Sequence, residues 1–218
     1  MSQDEKQGMY SSKSLKDTIR QIIRANIIDG RLKPGQRIVE TEVAKELQVS
    51  PIPIREALCG LEEEGLVTSI KYKGAFVADI NMDEMYHMFQ LRSLIEAKVI
   101  ELVLANLSKK NFGELHDIVD AMQEKKSNLG DYSTMSALDI EFHWTIINWS
   151  RIEAYKRSWT MLQGHVCRFI NFIHPKVQDK QLQEYDDHRL LLEILEERDV
   201  EKAKAAIQAH IMDVFDKL

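Results

Sequence analysis

Two cysteines, Cys59 and Cys167, four prolines and nine glycines are all that this 218-residue chain holds of the residues that staple or punctuate a fold. Two thiols exclude a disulfide scaffold and cannot supply a zinc-ribbon or iron–sulfur ligand set. Scarce glycine and proline argue against a sandwich or barrel of many short strands. No run of 18 apolar residues exists, so no membrane-spanning helix is predicted. The opening Met1-Ser2-Gln3-Asp4-Glu5-Lys6 is polar and partly acidic, unlike a secretory signal. Positive charge is short too: 29 Lys and Arg stand against 35 Asp and Glu, a net charge of -6. Averaged over the chain, that balance disfavours nucleic acid as a partner. What is plentiful is apolar side chain, at 44%, too much for a disordered chain and enough for at least one core. The length allows one large domain or two small ones. The expectation is a soluble, cytoplasmic, mainly helical protein.

Periodicity divides the chain into three parts: a disordered leader over 1–12, a mixed domain over 13–80 and an all-helical domain over 81–218. In the mixed domain, Leu15, Ile19, Ile22, Ile23 and Ile27 recur at three- and four-residue steps and predict a first helix, which Gly30 ends. A short helix runs roughly from Glu40 to Leu47. A third runs from Ser50, as N-cap, through Pro51 to Glu64, with Ile54, Ala57, Leu58 and Leu61 inward and Gly65 as its cap. The only predicted β-structure follows: Leu66–Ile70 and Ala75–Ala78 around the hairpin tip Lys71-Tyr72-Lys73-Gly74. Asn81, with Glu84 three residues later, resembles a capping box and opens six helices, about 83–107, 109–127, 131–149, 152–173, 180–197 and 199–217. Ser108, Ser150 and Asp199 are the predicted starts of three of them.

Helix, turn, short helix, tight turn, longer helix and two-stranded ribbon is the winged helix-turn-helix plan. DNA reading asks for a rigid helix whose N-terminal end enters the major groove. Here that end is Ser50-Pro51-Ile52-Pro53-Ile54-Arg55, and Arg55, opposite Leu58 and Leu61, can reach a guanine or a phosphate. Lys71, Tyr72 and Lys73 sit where a wing touches phosphates or the minor groove, and Arg37 and Lys33 are further backbone candidates. A basic hairpin tip is also what a solvated turn looks like, so the order of elements carries this reading. Counted by segment, residues 11–80 hold 11 basic and 10 acidic residues, whereas 81–218 hold 17 and 23. The acidity therefore belongs to the helical domain and does not exclude DNA. Non-specific DNA binding is expected to be weak.

Three stretches then carry a resemblance. Leu32-Lys33-Pro34-Gly35-Gln36-Arg37-Ile38-Val39-Glu40, Val43 through Leu58, and Leu61-Glu62-Glu63-Glu64-Gly65-Leu66-Val67 resemble the DNA-binding domain of GntR-family bacterial transcription regulators over about 14–80. The family usually has Arg-Thr where this chain has Pro51-Ile52, and glycine where it has Gln48. One polar DNA contact is thus missing, and two apolar residues can meet a thymine methyl instead.

Five of the seven histidines lie beyond residue 130. Asp139 and His143, four apart, share a helix face. With His188 and His210 on later helices they make a set suited to a borderline divalent metal with open positions. An intrahelical Asp–His pair and a capping or interface histidine explain the same residues separately. His165 and His174 are weaker candidates. Residues 82–216 are similar to the FCD ligand-binding domain of the FadR branch of GntR regulators, through Asp139, Phe142, His143, His188, His210 and the run Ile194 to Asp199 with Ala203 and Ala206. The resemblance implies a divalent metal (zinc first; nickel, manganese or iron as alternatives) on Asp139, His143, His188 and His210. It also implies a small organic acid beside it and Arg92 pointing into the same cavity, where a guanidinium pairs with a carboxylate. A salt bridge from Arg92 to Glu96 is the plainer reading of that residue. Six helices match the VanR-like subgroup. The Ser150-Arg151-Ile152 loop departs from the family's usual Gly-Asn.

The expected function is a homodimeric DNA-binding transcription regulator, most simply a repressor released by the acid, on a roughly palindromic operator. The alternative is a metal-dependent helical-bundle enzyme with an appended winged helix. Against it, the sequence offers no separate general base, because Glu141 is two residues from both Asp139 and His143 and points off their face.

Overall fold

The computed structural model describes residues 14–126, 132–173 and 181–216; the predicted leader, His174 and the outermost residues of several predicted helix ends lie outside them. The chain forms two compact units: the residues up to Ile27 with Arg31–Asp79, and Ile28–Gly30 with Ile80 onward.

In the first unit, α1 (Leu15–Ile28), α2 (Glu40–Glu46) and α3 (Pro51–Glu63) close on one core with a small sheet. Ile19, Ile23 and Ile27 recur every fourth residue on α1 and are buried against a core that includes Ile54, Ala57, Leu58 and Leu61 of α3. The hairpin is β2 (Val67–Ile70) and β3 (Gly74–Val77), with Val67 opposite Val77. A third strand, β1 (Arg37–Ile38), pairs antiparallel with β3 and places Arg37 opposite Phe76. Sequence reading missed β1 because two residues cannot display a period. Its neighbours hold it: Gly35 N–H donates to Val77 O at 3.0 Å and Val77 N–H to Gln36 O at 2.8 Å.

The turns decide where α3 stands. At the end of α3, Gly65 takes φ +72° and Leu66 N–H reaches back to Leu61 O at 2.9 Å. The end of α2 closes in the same way, with Val49 N–H on Ala44 O at 3.0 Å, but the left-handed residue there is Gln48 at φ +55°. Ser50 occupies the predicted N-cap position with extended backbone, yet its side chain makes no capping bond. A capping oxygen accepts from the second or third helical N–H, and Pro53 has removed the third. Arg24 of α1 forks onto Glu64 at 2.8 and 2.5 Å, and Glu62 accepts Ser69 N–H and Oγ–H at 2.9 and 2.8 Å, tying β2 to α3.

The second unit is helical among the described residues: α4 (Met82–Val103) with a 3₁₀ turn at Leu104–Asn106, α5 (Lys109–Lys126), α6 (Tyr132–Trp149), α7 (Glu153–Ile173), α8 (Gln181–Glu196) and α9 (Val200–Asp216). Asn81 caps α4 by accepting Asp83 N–H and Glu84 N–H at 3.0 and 3.2 Å. Asp199 caps α9 through Lys202 N–H at 3.0 Å. Ser150 does not cap α7: its hydroxyl donates to Ile147 O and accepts Ile152 N–H, which closes the end of α6, and Arg151 beside it takes φ +53°. Helix α4 is central, packed on α6, α7 and α9, while α5 packs on α6 and α8. Trp159 and Phe169 are core; Trp144, Trp149 and Phe172 pack at its margin; Met85 is buried, Met88 packs against the core and Met82 is exposed. The inner face of α4 also buries two charged residues, Arg92 and Glu96.

Candidate functional site

Two sets of side chains stand out, one in each unit. On the first unit, Lys33, Arg37, Ser50, Pro51, Ile52, Arg55, Lys71, Tyr72 and Lys73 are all exposed. Pro51 and Ile52 form an apolar tip on α3, with Ile52 67% exposed. Arg55 is not loose: its Nη2 donates to Glu40 Oε2 of α2 at 2.8 Å, and its Nε to the same carboxylate. Hydrogen bonding to Glu40, then its charge, raises the guanidinium's pKa. At the wing, Tyr72 is 94% exposed with φ +66°, and Lys71 Nζ lies 5.0 Å from its ring centre. A Cβ built on Gly74 would lie 3.6 Å from Arg37 Nη2, so strand pairing has brought Arg37 to the wing's base. The face thus offers an apolar helix tip, a braced arginine and a basic ribbon with one aromatic.

In the second unit, Asp139, His143, His188 and His210 offer ligand atoms that all lie within 4.8 Å of one another. Helix α6 supplies the first two one turn apart; α8 and α9 bring the others. Asp139 Oδ1 is 3.2 Å from His188 Nε2 and 3.6 Å from His143 Nε2. The His188 and His210 rings meet edge-on at 4.4 Å, and His143 stacks on His210 at 5.2 Å. Phe142, fully buried, backs His188 at 5.0 Å. Of the four, only His210 keeps partial exposure. His165 is half-buried on α7 and is not among them.

Arg92 joins this cluster from α4. It is 2% exposed, its Nε donates to Glu96 Oε1 at 2.8 Å, and its Nη2 lies 3.7 Å from Asp139 Oδ2. Arg92 is therefore bridged to Glu96, the plainer of its two readings, and it also borders the cluster. Glu96 is the residue that sequence reading undervalued. It is 0% exposed and also accepts from Trp159 Nε1 at 2.8 Å, while His143 Nδ1 lies 2.5 Å from its Oε2.

Electrostatics follow from this packing. Burial works to raise Glu96, but His143 and Arg92, with their hydrogen bonds and that of Trp159, outweigh it and hold the carboxyl at about 2. Burial likewise opposes the charge of Asp139, and His143, His188 and Arg92 overcome it, leaving the group well below the usual carboxylate range. Burial depresses His143, yet Glu96 and Asp139 raise it overall against Arg92. Burial and the neighbouring His188 and His143 push His210 well below the ordinary histidine value. Burial pushes the Cys167 thiol up to about 12, away from the thiolate form.

The donor set fits a divalent cation. Asp139 Oδ2 and His143 Nε2 are buried without a hydrogen-bond partner among the described residues. Ligands about 2.1 Å from a tetrahedral zinc-like ion would stand about 3.4 Å apart. Asp139 Oδ1 is already near that spacing from His188 and His143, and the whole set, within 4.8 Å, would need to close by about 1 Å at its widest. Glu141 is exposed on α6 and offers no base beside the cluster.

Comparison with known proteins bears on both units. The FCD domain family matches residues 87–213, and the family described as bacterial regulatory proteins, gntR family, matches residues 15–77. The Nta operon transcriptional regulator of Aminobacter aminovorans is 27% identical over 186 residues, covering 85% of this chain and 86% of that protein. The Uxu operon transcriptional regulator of Escherichia coli is 25% identical over 218 residues, covering 90% and 84%. Among solved structures, E. coli McbR/YncC superposes with a TM-score of 0.79 at 20% identity, covering 93% of this chain and 96% of that one, a likeness of fold.

Proposed function

The chain belongs to the gntR family of bacterial transcription regulators, in the branch that carries an FCD domain, and on that premise we propose that it is a repressor whose operator affinity is set by a small carboxylate bound at a divalent metal. The observation that carries the reading is the buried convergence of Asp139, His143, His188 and His210 with the Arg92 guanidinium alongside. Zinc is the first choice of metal, since three neutral imidazoles and one carboxylate suit a borderline cation; nickel, manganese and iron are the alternatives. The metal supplies a Lewis-acidic position for an anionic oxygen. The protein's own part is to hold the four ligands, to exclude water around three of them and to keep His210 on the side open to solvent. Arg92 binds the acid's carboxylate with its Nη2, which is now drawn only loosely towards Asp139.

The DNA-reading face is the tip of α3 with the wing: Arg37, Ser50, Pro51, Ile52, Arg55, Lys71, Tyr72 and Lys73. The regulator works as a homodimer in the cytoplasm, one recognition helix in each half of a palindromic site. The acid controls DNA affinity by as much as its own affinity differs between the DNA-competent state and its alternative. The test is electrophoretic retention of the gene's own upstream DNA by zinc-loaded protein across a panel of small organic acids. Sequence-preferring retention that one acid releases is the expected result. Retention that no acid changes would sink the effector reading, and turnover of an acid would favour an enzyme.

A further inference from the structure

A buried carboxylate with three donors around it is over-built for a single salt bridge. Arg92 Nε and Trp159 Nε1 both donate to Glu96 Oε1 at 2.8 Å, which leaves Oε2 to His143 Nδ1 alone at 2.5 Å. Had Nδ1 no hydrogen, two lone pairs would face each other at that distance inside a dry core. The Nδ1 atom therefore carries the hydrogen, and the Nε2 lone pair of the neutral ring is directed to the side where Asp139 lies at 3.6 Å.

We propose that Glu96 is the positioning residue of the metal site: it fixes the tautomer and ring orientation of His143, and through its other oxygen it fixes Arg92. This rests on the metal reading above. Ligating histidines generally need such an acceptor on their second nitrogen, and its loss weakens metal binding by roughly 10–100-fold. Glu96 joins the two functions of the site, because the same carboxylate orients a ligand of the cation and the side chain that meets the acid. Trp159 adds a second donor to Oε1, which Arg92 already holds; it does not touch Oε2 or the His143 ring.

The test compares the full-length wild type with Glu96→Gln, both stripped with chelator and then titrated with zinc against a chromophoric competitor. Histidine tautomers of the metal-free proteins are read by ¹⁵N NMR of the imidazoles. Gln keeps the shape and an acceptor oxygen, but offers an amide N–H₂ where His143 needs an acceptor. Zinc affinity is expected to fall about 10–100-fold, with His143 shifting from the Nδ1–H to the Nε2–H form. Trp159→Phe, which leaves the Glu96–His143 contact in place, is expected to hold zinc within about twofold of wild type; a loss equal to that of Glu96→Gln would mean general loosening and overturn the proposal. Zinc bound equally by wild type and Glu96→Gln overturns this inference alone. No stoichiometric zinc in the wild type overturns the metal reading and this inference with it. Should Glu96→Gln fail to fold, the wild-type spectrum decides, recorded at alkaline pH where the His143 ring is neutral: a neutral ring with its hydrogen on Nε2 and a bare Nδ1 in the metal-free protein overturns the proposal without any variant.

Discussion

Replacing Arg92 with Met removes one charge from between two buried carboxylates while keeping an unbranched side chain of similar reach. At an effective dielectric near 20, a unit charge attracts a carboxylate 2.8 Å away by about 6 kcal/mol and one 3.7 Å away by about 4 kcal/mol. Freeing the protein from burying the guanidinium offsets much of that sum. Breaking a buried pair by deleting one partner leaves a net cost of roughly 3–5 kcal/mol. A helical unit of this size loses about 3–4 °C of melting temperature per kcal/mol, so metal-free Arg92→Met is expected to melt roughly 10–20 °C below wild type. All three tryptophans, Trp144, Trp149 and Trp159, lie in the helical unit, so tryptophan fluorescence reports that unit by itself. Zinc is expected to raise the variant's midpoint more than the wild type's, because the cation replaces the missing charge. A carboxylic acid that stabilises zinc-loaded wild type should leave the zinc-loaded variant unmoved. A metal-free midpoint within about 2 °C of wild type, or an acid response that survives, would refute both the electrostatic argument and the role given to Arg92.

Three further outcomes are expected. Replacing the operator thymines at the α3 tip with deoxyuridine should weaken binding about fourfold per half-site, at about 0.8 kcal/mol per lost methyl, and Ile52→Ala should abolish that discrimination; equal sensitivity in both proteins counts against methyl reading. Gln48→Gly should stabilise the first unit by about 0.5–1 kcal/mol, since relief of the left-handed conformation exceeds the entropy glycine adds to the unfolded chain; far-UV denaturation showing a loss instead would contradict it. Finally, metal-free protein should lose tryptophan-monitored stability on acidification. The depressed His210 gives stability that is present above its unfolded value near 6.5 and lost as pH falls below it, and the depressed Glu96 and Asp139 give stability lost from about 4.5 downward. The raised His143 acts in the opposite sense, its contribution disappearing as pH rises through its folded value, so the loss should steepen below about pH 4.5.

Much of this was visible in residue spacing. The fourth-residue recurrence of Ile19, Ile23 and Ile27 announced α1, and the Asp139–His143 step announced a shared face. Both rest on local geometry, which a helix imposes on any sequence that adopts it. The convergence of His188 and His210 on that face needs helix packing; residue types suggest it beside plainer readings, and the family resemblance adds the weight that spacing lacks. Glu96 was hidden for a specific reason: Arg and Glu four apart look like an ordinary surface pair, and nothing local says that Trp159 and His143 will close over them. The brace on Arg55 is invisible in the sequence because Glu40 is 15 residues away. The bond expected of Ser50 failed on the neighbouring Pro53, so the cap's position was legible and its chemistry was not.

The four ligand positions lie on α6, α8 and α9, far apart along the chain. In polymer terms a cation held there is a removable cross-link: it closes loops that the unfolded chain would otherwise explore, and restricting them favours the native state. A cation that binds the native arrangement and not the unfolded chain would stabilise the unit in proportion to the logarithm of its concentration over its dissociation constant. If the proposed cation binds there, its withdrawal would then lower the unit's resistance to proteolysis, independently of any effector.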